Sequence, residues 1–375
     1  MKITIVMGPW FPVPPVRGGA LAKAWYGLAR EFATAGHEVT IMAKQFPGQP
    51  DHETVGGLRF IRTRGFSQGN SLAWDLAKDF LYALNVLPRL PLSDILVTND
   101  FWVPALAANL RRRAGAVLVS AGRFPKGQYW LYRRVARIVA ISYAVKAGII
   151  AEQPGLTSRV VTIPLPVDLE SLTVPASPDH GPGRTLLYVG RVHPEKGVEL
   201  LVRAFAAIGR DHPDWHLRIV GPTAEADGGG GEKYLASIRG AARDLNVELL
   251  GPIFGRAALA AIYQSADLFC YPSLAETGEA FGIAPLESMA AGVPAVVSSL
   301  ACFREFIRDG DNGWVFDHHG DNAEAALANV LATAMQDNDL RARAGERARE
   351  DARQFGFPAM AQRYLHEFEQ VLANV

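Results

Sequence analysis

GEAFGIAPLESMAAGVPAVVSS, residues 278–299, sets two carboxylates around an apolar turn and follows them with a β-branched run. Glu279 and Glu287 are separated by seven uncharged residues. Pro285 suits the first turn of a helix, where its missing N–H would have no partner anyway. The helix then runs to Gly292, a suitable C-cap, with Pro294 just beyond it. This reading puts Glu287 in the first turn and Glu279 in the loop before it. PAVVSS is the next strand. Loop, helix and strand in that order make one step of a doubly wound sheet.

The same step recurs outward in both directions. Upstream, TLLYVG, WHLRIVG, VELLG and DLFCYPS are short buried strands separated by helical segments such as GVELLVRAFAAIG, GEKYLASIRGAARDLN and AALAAIYQSA. The first half repeats the alternation with KITIVM, HEVTIMAK, GLRFIRT, DILVTN, AVLVSA and RIVAIS. LAKAWYGLAREFATAG is its first helix, and ALAANLRRRAG is read as another. Short apolar strands alternating with helices predict parallel sheets covered on both faces. Residues 164–184 carry five prolines and no sustained period, so they read as a linker. GGGG at 228–231 reads as a surface loop. The tail is helical, through AEAALANVLATAMQ and PAMAQRYLHEFEQVLANV.

The expected architecture is therefore α/β, with two Rossmann-like doubly wound parallel-sheet lobes facing across a cleft. The N-terminal lobe spans 1–168 and the C-terminal lobe 169–356. A last helix, 357–375, crosses back to the first lobe. Ligands of such sheets bind outside the carboxyl ends of the strands, which places the site in the cleft.

Composition excludes several classes. With 375 residues, 49% of them hydrophobic and 20% charged, the chain is neither disordered nor a single small core. No apolar run approaches the roughly 18 residues of a membrane span. MKITIVMGPW reads as a first strand, not a signal peptide. Cys270 and Cys302 offer neither a disulfide framework nor a metal spacing, and read as buried thiols of a cytoplasmic protein. The net charge of zero conceals a split. Residues 1–170 hold 20 Lys and Arg against 11 Asp and Glu, and residues 171–375 hold 18 against 27. A basic first half suits an anionic substrate or an anionic lipid surface. Nothing points to nucleic acid.

The chemistry of the opening stretch follows from its parts. Gly282 lets a ligand approach the backbone closely. Free N–H groups and the positive end of a helix suit a phosphate. Carboxylates on either side accept hydrogen bonds from hydroxyls. A nucleotide-sugar presents ribose, diphosphate and hexose, which match carboxylate, phosphate cradle and carboxylate.

The Glu-x7-Glu pair within PSLAETGEAFGIAPLESMAAGVPAVVSS resembles the signature of the retaining family 4 glycosyltransferases, which have the GT-B fold. The resemblance extends to LLYVGRVHPEKGVELLVRAF, GPIFGRAALAAIYQSADLFCYPS and FREFIRDGDNGWVF, and more loosely to RGGALAKAWYGLAREFATAGHEVTIMA. It implies a role for each matching position. Glu279 binds hydroxyls of the donor hexose and Glu287 the ribose. Ala280, Phe281, Gly282 and Ile283 form the loop whose amides meet sugar and phosphates. Arg191 and Lys196 neutralise the leaving diphosphate, and Gly18 and Gly19 close over it. Arg191, Lys196 and Glu279 are thus the catalytic candidates, with no metal and no cofactor required. Base contacts fall on backbone near Gly251 to Phe254.

The implied reaction moves a sugar from a nucleotide diphosphate-sugar, a UDP-sugar first and a GDP-sugar next, to a hydroxyl acceptor. The acceptor is a glycan, a lipid-linked sugar or a sugar phosphate. Alternatives are a nucleotide-sugar epimerase of the same fold or a non-catalytic nucleotide-sugar-binding protein. A nicotinamide dehydrogenase is disfavoured, because GPWFPVPPVRGG follows the first strand where a G-x-G-x-x-G turn would stand. Asp309-Gly310-Asp311 mimics a metal-binding pair but suits a tight turn.

Two departures stand out. No histidine occurs at 115–130, where relatives place one near the donor's C6 hydroxyl, and Gly122 or Arg123 takes its place. The Arg123 guanidinium suits a donor carboxylate, a phosphate or the acceptor. Asp100 and Arg123 are the acceptor-side candidates. IPLPVD, 163–168, replaces the Asn-Gly-Val-Asp common in relatives. Arg111–Arg113 and the basic, aromatic YWLYRR, with Arg133 and Arg134, are candidates for peripheral contact with the inner face of a membrane.

Overall fold

Strands that are buried on both faces must carry apolar residues at nearly every position, and the first strand does: in Lys2–Val6 only Lys2 is exposed. The computed structural model describes residues 1–15, 19–69, 71–173 and 183–374, with only the backbone of Arg111 and Arg112. The chain divides into two units, Met1–Pro166 with Phe357–Val375, and Val167–Gly356.

The first unit holds β1 (Lys2–Val6), β2 (Glu38–Lys44), β3 (His52–Val55), β4 (Leu58–Thr63), β5 (Ile95–Thr98), β6 (Ala116–Ala121), β7 (Arg137–Ala140) and β8 (Val160–Thr162). They form one sheet in the order β3-β4-β2-β1-β5-β6-β7-β8. All neighbours are parallel except β3, which pairs antiparallel with β4. Helix Ala20–Thr34 buries Trp25, Leu28 and Phe32 against this sheet. Helix Phe357–Ala373 covers the same helix, with Tyr364 edge-on to Trp25 at 5.0 Å and Phe368 edge-on to Phe32 at 5.6 Å. Gly27 permits this approach, because a Cβ there would lie 2.1 Å from the Phe357 ring. Arg137 and Glu367 add an ion pair at 3.1 Å.

The second unit holds β9 (Arg184–Val189), β10 (Trp215–Val220), β11 (Val247–Gly251), β12 (Leu268–Tyr271), β13 (Ala295–Ser298) and β14 (Gly313–Phe316). Its sheet is parallel throughout, in the order β11-β10-β9-β12-β13-β14. The order turns back between β9 and β12, which is where ligands of such sheets bind. Both lobes are thus Rossmann-like.

The linker, the ALAANLRRRAG helix and the GGGG loop need correction, while the 309–311 turn and the two thiols are as expected. The segment read as a linker contains helix Leu169–Thr173, whose Leu172 is buried, and Asp168 pairs with Arg256 of the same unit. Residues 174–182 lie outside the described residues. The helix read at ALAANLRRRAG is two short pieces, Trp102–Ala107 and Arg111–Ala114. GGGG is not a loose loop. The amides of Gly229, Gly230 and Gly231 donate to Ala224, Val192 and Thr223, and Gly231 begins a helix. Gly229 has no room for a side chain, since a Cβ would stand 2.2 Å from the Thr223 carbonyl carbon. Asp309-Gly310-Asp311 is a turn: Gly310 has φ 72°, Asp309 accepts from the Val315 amide, and Asp311 pairs with Arg308 and Arg347. Cys270 and Cys302 are both buried and free.

Candidate active site

The loop after β9 and the loop after β12 meet at the carboxyl end of the second sheet. Gly190 follows β9 at a point where a Cβ would lie 2.7 Å from the Tyr188 hydroxyl and 3.1 Å from the Tyr271 ring. Those two tyrosines are stacked 5.7 Å apart, and the Tyr188 hydroxyl donates to the Arg191 carbonyl. The 3-10 turn Pro194–Lys196 follows, capped by His193, which accepts from the Glu195 amide. Gly197 then takes φ 68°, and a Cβ there would be 2.0 Å from the Pro272 carbonyl oxygen. The Leu274 amide donates to the Glu195 carbonyl at 2.8 Å, which joins the two loops.

This junction delivers Lys196 to Glu279. Nζ of Lys196 donates to Oε2 of Glu279 at 2.7 Å, and both side chains are under 10% exposed. The ammonium also lies 5.8 Å from the centre of the Tyr271 ring. Tyr271 hydrogen-bonds Glu279, and burial together with that carboxylate pushes its phenol well up. Arg191 is more open. It pairs with Glu195 and donates to the Gly228 carbonyl at 2.9 Å. Burial works against ionisation of Glu195, but the hydrogen bond and charge of Arg191, with Lys196 and His193, outweigh it and hold the carboxyl below its usual range.

The quoted stretch forms a helix, Ile283–Ala291, with Gly282 at its N-cap and Gly292 at its C-cap, both left-handed. The helix starts at Ile283, so Glu287 is its fifth residue, beyond the first turn expected for it. Oε2 of Glu287 accepts from the Tyr263 hydroxyl at 2.9 Å. Gly282 is demanded twice. Its φ is 83°, and a Cβ would lie 2.3 Å from the Phe303 ring. Phe281 is buried, 5.3 Å from Phe306, and anchors the loop. Ala280 is half-buried beside it. The amides of Phe281, Gly282 and Ile283 sit at the helix N-terminus, where backbone N–H groups have no intrahelical acceptor.

Of the remaining candidates, Gly19 caps helix Ala20–Thr34 with φ 86°. Gly18 lies outside the described residues. Gly251 has φ 71° at the end of β11, and Phe254 is exposed. Arg123 is exposed, two residues past β6. Sequence reasoning missed Glu195, Tyr188, Tyr271 and Tyr263. Each is an ordinary strand, turn or helix residue until the fold sets it against Arg191, Glu279 or Glu287.

Asp100 is held differently from an open acceptor ligand. Its Oδ2 accepts from the Val103 amide at 3.2 Å, while its Oδ1 is buried with no hydrogen-bond partner among the described residues. Asp79 lies nearby and accepts from the Phe101 and Trp102 amides. Burial pushes the Asp79 carboxyl up to about 6, and burial plus the Asp79 charge raises Asp100 as well. An unfolded aspartate ionises near ~3.9. Between that value and about 6 the folded state holds more protons, so stability is fully present below about pH 4 and falls as pH rises through this window. The loss is about 3 kcal/mol at roughly 1.4 kcal/mol per unit. Asp79→Asn should flatten the slope while still accepting from both amides. Urea unfolding of both proteins at pH 4, 5, 6 and 7 tests this, and an unchanged slope in the variant would locate its source elsewhere.

Comparison with known proteins gives the class. Residues 175–351 match the family model "Glycosyl transferases group 1", and residues 21–171 match "Glycosyltransferase Family 4". Phosphatidyl-myo-inositol mannosyltransferase of Mycobacterium tuberculosis is 33% identical over 392 aligned positions, which span all of this chain and 98% of that one. Sucrose-phosphate synthase of Thermosynechococcus elongatus superposes with a TM-score of 0.81 at 20% identity over the full length of both chains. Anabaena HepE in complex with UDP-glucose gives 0.75 at 18%, again over both full lengths. The chain belongs to the family 4 glycosyltransferases and has the GT-B fold. Among the described residues, no helix is long and apolar enough to cross a membrane.

Proposed function

We propose that this glycosyltransferase retains anomeric configuration, needs no metal for transfer, and takes its sugar from a UDP-sugar, with a GDP-sugar as second choice. The observation that carries this reading is the Lys196–Glu279 pair beside the N-terminus of helix Ile283–Ala291, with Arg191 close to Lys196 through Glu195. Lysine has three donors and arginine five. Each can therefore take phosphate oxygens while keeping its carboxylate. The amides of Phe281, Gly282 and Ile283 add donors and the helix dipole.

In this reading Glu279 accepts from hexose hydroxyls and Glu287 from the ribose. The bond between the anomeric carbon and the phosphate oxygen breaks, and its electron pair stays on the phosphate. Arg191 and Lys196 stabilise that charge as it develops, where such stabilisation is most effective. The acceptor hydroxyl attacks from the face the phosphate leaves, and its proton passes to the departing phosphate oxygen. In this reading Gly19 closes over the phosphates and Arg123 meets the acceptor. The HepE complex with UDP-glucose supports the donor class by analogy of fold.

A melting-temperature panel with UDP, GDP, ADP and TDP, each with magnesium and with EDTA, is the direct test. One nucleotide should raise the melting point by several degrees, since ligand bound to the folded state stabilises it by mass action. The rise should survive EDTA. No shift with any nucleotide at saturation would defeat the reading.

For the acceptor, a lipid-linked hydroxyl at a membrane face is favoured. The helix Leu72–Val86 buries Asp79, Tyr82, Ala83 and Val86 on one side. At 100° per residue, Trp74, Phe80, Leu81 and Leu84 share another side, and all are exposed, from 38% to 69%. The aromatics of YWLYRR serve less well than expected, because Tyr129 and Tyr132 are buried and Trp130 alone is exposed. The side chains of Arg111 and Arg112 lie outside the described residues. The name of the mycobacterial relative, which specifies a phosphatidylinositol acceptor, supports the lipid reading. Burying Trp74, Leu81 and Leu84 in a bilayer interface is worth about 1.5–3 kcal/mol each at full burial. The triple change of these residues to serine should therefore weaken sedimentation with phosphatidylglycerol vesicles more than tenfold. Equal sedimentation of both proteins would count against the contact.

A further inference from the structure

Glu276 stands three residues before Glu279, and its Oε1 lies 2.9 Å from Nε2 of His318 and 3.0 Å from Nε2 of His319. The two imidazoles come from the loop that leaves β14, and their ring centres are 4.1 Å apart with a 40° tilt. In each ring the other nitrogen is engaged. Nδ1 of His318 is 2.9 Å from the Ser299 hydroxyl oxygen, and Nδ1 of His319 is 2.8 Å from Oδ1 of Asp317. Outer partners of this kind orient a ligating histidine and fix which nitrogen faces inward. The His318 side chain is only 4% exposed, so packing holds it as well. Nothing in the transferase chemistry uses these residues.

We propose that Glu276, His318 and His319 bind one divalent transition metal of the zinc class, with water completing the coordination. Two imidazole nitrogens and one carboxylate oxygen suit zinc and its neighbours. Magnesium and calcium favour all-oxygen sets of six or more ligands. The three donor atoms lie within 4.8 Å of one another. At metal–ligand bonds of ~2.0–2.1 Å, tetrahedral ligand atoms stand about 3.3–3.4 Å apart. The nitrogens therefore need to part from the oxygen by only a few tenths of an ångström.

The metal has a structural consequence here and takes no part in bond making. Glu276 opens the turn Glu276–Gly278 that leads into Glu279. Coordination ties this turn to the β14 loop and steadies the loop that carries Glu279. The inference stands independently of the proposed transfer reaction.

The full chain, freed of any affinity tag, is stripped with EDTA, dialysed, and titrated with Zn²⁺ by calorimetry and with Co²⁺ by visible absorption. One equivalent should bind with micromolar or tighter affinity, and cobalt should show the intense bands of a four-coordinate ion. Glu276→Gln and His319→Ala should each weaken zinc at least tenfold, and Asp317→Asn by about tenfold. Zinc should raise the melting temperature of the wild type and not of His319→Ala. His319 is exposed, so this variant keeps its fold, which far-ultraviolet circular dichroism verifies. Absence of saturable zinc binding, as in a cluster bridged by protons alone, overturns the proposal. So does zinc binding that is unchanged in His319→Ala, since the metal would then sit on other side chains.

Discussion

Lys196→Ala should lower kcat/KM by about a thousandfold and destabilise the second unit by about 3–5 kcal/mol. The two losses have different causes. The first, on the role proposed for Lys196, is removal of a fixed cation from the point where charge develops on the leaving phosphate. The second arises because the Glu279 carboxylate, 9% exposed, loses the ammonium 2.7 Å away and is left as a buried charge without its partner. Combining Lys196→Ala with Glu279→Gln removes that stranded charge. The double variant should recover most of the urea-unfolding stability and none of the activity. If the single variant is as stable as the wild type, the pair is not the buried interaction described above. If the double variant recovers activity, Lys196 has no part in transfer.

Gly197→Ala should be among the most disruptive single methyls in the second lobe. At φ 68° an alanine is strained by about 1–2 kcal/mol. Its Cβ would also meet the Pro272 carbonyl oxygen at 2.0 Å. That oxygen is backbone, so no side-chain rotation relieves the clash. The two loops must separate, which stretches the Leu274–Glu195 hydrogen bond and withdraws Lys196 from Glu279. A total above about 3 kcal/mol is expected, or roughly 10 °C in the melting of a lobe of this size. Donor affinity should fall with it. Gly278→Ala is the control, because its Cβ would meet the Ala275 methyl at 3.0 Å and no backbone oxygen. Equal melting temperatures for Gly197→Ala and the wild type would mean that the two loops are not held as described.

Much of this site is legible as spacing. Glu279, Gly282, Glu287 and Gly292 lie in one continuous segment, and glycine and proline announce the ends of its helix. The pairing of Lys196 with Glu279 spans 83 positions and leaves no local trace. Neither does Tyr263 beneath Glu287, nor the meeting of Glu276 with His318 and His319.

Ten of the eleven strands read from apolar runs lose water on both faces, and such burial writes itself into composition; β11, read as buried, lies at a sheet edge with Glu248 and Leu250 exposed. The three strands that were not read are short. β3, HETV, is polar and sits at an edge, where Arg62 of β4, buried among the Pro50 and Val13 carbonyls, pairs with Glu53. β8 has three residues and β14 four. Helix Leu72–Val86 was missed for the opposite reason, since apolar residues on its exposed side erase the one-sided period that reveals a helix.

By itself, the sequence determined the two doubly wound sheets, the glycine-capped helix at 283–291 and the acids that flank its N-terminus. These depend on burial and on backbone conformation, which act residue by residue. Only the tertiary structure decided which charges neutralise one another. Electrostatic partners act through space, and nothing but the folded chain brings β9, β12 and β14 loops to the same end of one sheet.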